Sequence, residues 1–129
     1  MAVEANRIRA NSSGRALQLK VSLRGVSKPP VWRRLLVSAD TRLDRLHDVV
    51  QTAMGWTDTH LHVFYTSVGD YGIPDPELGV RDERTAPLSR FVKQPGDRIR
   101  YAYDFGDGWE HDIVLEKRLT GDAVERVPT

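Results

Sequence analysis

Cysteine is absent from the 129-residue chain. That excludes a disulfide scaffold, a thiolate metal site and a thiol nucleophile. Long apolar runs are missing as well. Nothing approaches the roughly 18–20 consecutive apolar residues of a membrane span. The opening MAVEANRIRANSSGR has no apolar segment of the kind a secretory signal carries. A soluble, cytoplasmic protein with no membrane association is therefore expected. No serine sits in a Gly-x-Ser-x-Gly elbow, so serine hydrolysis has no support. Dense Lys/Arg runs, internal repeats and low-complexity tracts are also lacking. What is present is ordinary globular composition, 40% hydrophobic and 29% charged, at a length that fits one domain with its own core.

The net charge of +1 conceals a division. Residues 1–47 carry ten Lys/Arg against three acids, and residues 48–129 carry nine against fifteen, giving +7 and −6. Such a split either marks a face for nucleic acid or an acidic partner, or lets the two halves neutralise each other in the fold or across a homodimer interface.

Periodicity outlines the elements. Leu17, Leu19, Val21 and Leu23 alternate with Gln18, Lys20, Ser22 and Arg24, as in a half-buried strand. Gly25 to Pro30 reads as a turn, and Val31–Val37 as its hairpin partner. Residues 41–55 are the clearest helix, with Thr41 as N-cap, Gly55 at C′, and Leu43, Leu46, His47, Val50, Ala53 and Met54 on one stripe. Residues 60–68 predict a third strand, with His60, His62 and Phe64 on one face. Residues 69–87 read as a long acidic loop, and Leu88–Val92 as a short helical turn. Residues 98–105 and 109–119 form a last hairpin around Phe105-Gly106-Asp107-Gly108. The fold class this predicts is α+β: a small, hairpin-rich antiparallel sheet of about five strands packed by one main helix. A flexible arm (1–15) and a frayed tail (120–129) would flank a single domain over 16–119.

Three motifs carry the chemistry. In His60-Leu61-His62 the imidazoles lie two apart on a strand and project to one side, so they can chelate one divalent metal if His111 or Asp104 completes the set. The plain alternative is two hydrogen-bonding groups on a half-exposed sheet. In Asp104-Phe105-Gly106-Asp107-Gly108-Trp109-Glu110-His111 a rigid turn gathers acids, aromatics and an imidazole; the alternative is a hairpin whose aspartates bond their own backbone. Its Asp-Phe-Gly string lacks every accompanying kinase motif. In Pro29-Pro30-Val31-Trp32-Arg33-Arg34 one arginine can reach phosphate while the other packs on an aromatic; the alternative is a proline-guarded edge strand.

In order and spacing, these three stretches, with Leu46-His47 and Met54-Gly55-Trp56 leading into the second, resemble the plasmid pRiA4b ORF-3-like family over about residues 16–119. The resemblance implies a small α+β domain, an association with plasmids and mobile elements that includes a passenger protein labelled TnpR, and no established activity. Nothing here looks like a serine recombinase. Members of the family often continue into a Cys-containing segment, whereas this chain stops at Pro128-Thr129, as a short member or a fragment would. A site that such a segment helps to build would be altered here.

The functional expectation is an accessory or binding module without enzymatic activity. One alternative is a metal-binding, hydrolase-like protein using His60, His62, His111 and Asp104. Another is a weak nucleic-acid binder contacting phosphates through Lys20, Arg24, Lys28, Arg33 and Arg34. A third is a structural domain that works when fused or dimerised.

Overall fold

A computed structural model describes residues 15–58, 60–104 and 108–120. The described residues form seven strands and one α-helix, in the order β1 (Arg15–Ser27), β2 (Pro30–Ser38), α1 (Leu43–Met54), β3 (His62–Thr66), β4 (Gly69–Gly72), β5 (Val80–Asp82), β6 (Arg98–Tyr103) and β7 (Trp109–Thr120). Two single 3-10 turns, Glu83–Thr85 and Leu88–Arg90, follow β5. The strands form one sheet in the order β2-β1-β7-β6-β3-β4-β5.

Alternation decides which face is buried. Leu17, Leu19 and Val21 of β1 join Leu35, Val37, Phe64, Tyr101, Ile113 and Leu115 in one apolar cluster, and α1 adds Leu43, Leu46 and Val50. The residues between them on β1, β6 and β7 include Lys20, Arg100 and Asp112 on the opposite face. No helix among the described residues is long and apolar enough to cross a membrane.

The expected five-stranded antiparallel sheet is corrected by the structure. The sheet has seven strands and is mixed, because β4 and β5 pair in parallel while all other pairs are antiparallel. It remains an α+β arrangement with a single α-helix among the described residues, but mostly sheet. Both additional strands come from 69–87, read from sequence as loop. β4 spans four residues and β5 three, too short for alternation to show. Gly72, a loop signal on its own, is what admits β4: a Cβ there would meet the His62 carbonyl oxygen at 3.0 Å.

The other elements stand near their expected positions. Gly55 closes α1 in the left-handed conformation at φ 77°. Thr41 does not cap it; Arg42 holds that position without a side-chain capping bond. The helix start is satisfied from elsewhere: the Leu43 N–H donates to the Ala86 carbonyl at 2.9 Å, and the Leu88 N–H donates to the Thr41 carbonyl at 2.7 Å. These bonds tie the Glu83 turn to α1. The expected arm over 1–15 and tail over 120–129 lie outside the described residues except for Arg15 and Thr120, which belong to β1 and β7; the turn residues 105–107 with Asp107 lie outside them too.

Candidate functional site

Between α1, the start of β3 and the Glu83 turn lies an open cleft of about 550 Å³. His47 reaches it from the buried stripe of α1, and His62 from the inward face of β3 beside Phe64. The two imidazoles stack, with ring centroids 3.6 Å apart and planes 13° from parallel. Each has a carboxylate at its Nε2: Asp58 Oδ1 lies 2.7 Å from His47, and Glu83 Oε1 lies 2.7 Å from His62. Glu83 is only 7% exposed, a burial that a carboxylate tolerates when it is bonded. Asp48 also lines the cleft, and Leu61 and Ile73 form an apolar rim.

Behind His47 stands a polar network within the core. Tyr101 Oη is 2.5 Å from His47 Nδ1 and accepts from Gln51 Nε2 at 2.9 Å. Gln51 Oε1 in turn accepts the main-chain N–H of Asp58 at 2.7 Å. Asp58 sits at φ 55°, a left-handed conformation that Asp enters more readily than most residues. Burial pushes the Tyr101 phenol far above its ordinary range, so its hydrogen stays in place.

His47, Asp58 and His62 each offer one donor atom, and these atoms lie within 4.8 Å of one another. Around a tetrahedral ion at ligand lengths of about 2.0–2.1 Å, donors sit roughly 3.3–3.4 Å apart. The group therefore needs a small closure. Because the lone pairs of stacked rings lie in near-parallel planes, one imidazole must also tilt to aim at a shared point. Tyr101 Oη at His47 Nδ1 fixes the orientation of that ring.

Of the residues singled out from sequence, only His62 belongs to this group. His60 stands at the rim with its side chain 52% exposed, 3.5 Å from the Asp104 carboxylate. His111 is fully buried. Its Nδ1 faces the Tyr101 carbonyl at 3.1 Å, its Nε2 has no hydrogen-bond partner among the described residues, and its ring lies against Tyr101 and Trp56. Burial pushes its pKa down. Sequence reasoning missed Asp58 and Glu83, and took His47 for a stripe residue. The available signal was that His47 and Gln51, four apart, put two polar groups on the buried side of one helix.

The basic residues do not form one patch. Lys20 and Arg34 are cross-strand partners that both lie over the Trp32 ring, at 4.8 and 5.1 Å. Arg34 pairs with Glu116 at 2.8 Å, and Arg24 with Asp112 at 3.6 Å. Arg33 turns to the helix side and donates to the Ala53 carbonyl at 3.0 Å. Lys28 is exposed in the β1–β2 turn. Pairing of β1 with β7 thus sets the basic half of the chain beside the acidic half.

Comparison with known proteins adds an identity to this geometry. The model of the plasmid pRiA4b ORF-3-like family matches residues 15–129. The chain belongs to this family. It is 45% identical over 112 residues to the uncharacterized protein y4hQ of Sinorhizobium fredii, covering 84% of this chain and 57% of that protein. Among solved structures it is similar to MM3350 of Methanosarcina mazei Go1, described as a protein of unknown function, with TM-score 0.77 and 30% identity over 89% of this chain and 65% of that one. The chain therefore spans less than two thirds of the length of either relative.

Proposed function

We propose that this family member is a binding module whose cleft takes a divalent metal ion between His47, Asp58 and His62. The carrying observation is the convergence of two buried imidazoles and a carboxylate to within 4.8 Å at a solvent-open cleft. Two nitrogen donors and one oxygen suit an ion of the zinc class better than magnesium or calcium, which prefer all-oxygen shells. The Tyr101 bond at His47 Nδ1 fixes the ring with its Nε2 turned towards Asp58.

Metal analysis of protein purified without a polyhistidine tag, followed by calorimetric titration with Zn²⁺, tests the proposal. One equivalent per chain is expected, lost in His47→Ala and in His62→Ala and retained in His111→Ala. No saturable binding of Zn²⁺, Mn²⁺, Co²⁺ or Ni²⁺, or unchanged affinity in both cleft variants, would overturn it.

A further inference from the structure

Donor counting determines the direction of every hydrogen bond behind His47. The Asp58 main-chain N–H can only donate, so the atom of Gln51 facing it at 2.7 Å must be the amide oxygen. That turns the Gln51 NH₂ towards Tyr101, whose oxygen accepts at 2.9 Å. The phenol has one hydrogen of its own, and it points at His47 Nδ1 at 2.5 Å. Nδ1 is then bare, the imidazole hydrogen sits on Nε2, and Nε2 donates to Asp58 Oδ1 at 2.7 Å. The chain of bonds begins and ends on Asp58.

The opposite tautomer has no good arrangement in this network. With hydrogen on Nδ1, His47 and Gln51 would both donate to the Tyr101 oxygen, and the buried phenol hydrogen would lose its acceptor. Turning the Gln51 amide over would instead set its NH₂ against the Asp58 N–H, donor against donor. Yet ligation through Nε2 requires that nitrogen to give up its hydrogen. We infer that Gln51, acting through Tyr101, is a positioning residue that holds His47 in its Nε2–H form and thereby limits how tightly the cleft takes a divalent ion. This rests on the metal reading of the cleft for what the lock regulates, though not for the lock itself.

A side chain that only props up the site and one that locks the tautomer predict opposite signs. Replacing a prop weakens metal binding. In Gln51→Glu the carboxylate can accept from both the Asp58 N–H and the Tyr101 O–H. The phenol oxygen can then accept from Nδ1–H, so Nε2 can exchange its hydrogen for an ion shared with Asp58.

Long-range proton–nitrogen correlation spectra of the metal-free wild-type chain should show His47 with hydrogen on Nε2 and a bare Nδ1; hydrogen on Nδ1 overturns the lock. Zn²⁺ calorimetry should show Gln51→Glu binding about tenfold more tightly than wild type, within the range by which outer-shell partners alter metal affinity. The wild-type spectrum serves if the glutamate variant does not fold. Equal or weaker affinity in folded Gln51→Glu overturns the lock. Absence of Zn²⁺ binding in both chains overturns the metal reading and the affinity role with it. The tautomer spectrum judges the relay independently.

Discussion

The imidazoles of the cleft and the imidazole of His111 lie against the same tyrosine yet are equipped differently. Tyr101 meets the rings of His47, His62 and His111 at 5.8, 6.1 and 5.4 Å. On the cleft side each ring has a carboxylate at 2.7 Å and access to solvent-open space. On the other side His111 has a backbone carbonyl, aromatic neighbours and a nitrogen with no partner among the described residues. A buried histidine can hold an ion only where a ring nitrogen faces an opening; elsewhere the same ring is a packing element with one polar anchor.

The sharpest way to break this contrast is at the ligands. His62→Ala should abolish Zn²⁺ binding in calorimetry while His111→Ala retains it; the reverse pattern would exchange the roles of the two compartments. Next in size is Phe64, fully buried and 4.8 Å from the Tyr101 ring. Chemical denaturation of Phe64→Ala should show a loss of roughly 3–5 kcal/mol.

A third test uses acid. Burial lowers the His111 pKa, so the unfolded chain takes up a proton more readily than the folded one. Stability contributed by neutral His111 is present above the unfolded value of about 6.5 and declines as pH falls from there towards the lowered folded value. Denaturation midpoints measured from pH 7 to 5 should fall less steeply in His111→Gln than in wild type.

The smallest effect belongs to the open face. The Arg34 bond holds the Glu116 carboxyl below the usual carboxylate range, a contribution present above the unfolded pKa and lost as pH falls through the lowered one. Both partners are substantially exposed, with side-chain values of 38% and 24%. Glu116→Gln should therefore cost at most about 1 kcal/mol at neutral pH, and less at high salt. A larger loss would place the open face among the principal sources of stability.

Legibility in the sequence followed element length and the range of each interaction. β1 and α1 have enough residues to display their periods, so their buried faces were readable. β4 and β5 do not, and their strand character depends on neighbours that supply hydrogen bonds from outside the segment. The cap at Thr41 failed for a related reason: Ala86, forty-odd residues away, satisfies the helix start first. His62 was found because its strand and face were correct. His60 and His111 were grouped with it because chain spacing says which side a residue projects to, not what stands across from it. Asp58 and Glu83 had no local signature; one needs the Gln51 anchor and the other a turn fastened to α1.

Alternation and the helical stripe, both short-range properties of the chain, determined by themselves that a one-sided sheet would bury its apolar face under a helix, and the three motifs determined the family. Which imidazoles would meet, and that carboxylates from a helix-end loop and a 3-10 turn would face them, was decided by tertiary structure. Those contacts join residues 11 and 21 positions apart across separate elements, and only the pairing of β3, β4 and β5 and the docking of the Glu83 turn onto α1 bring them within hydrogen-bonding distance.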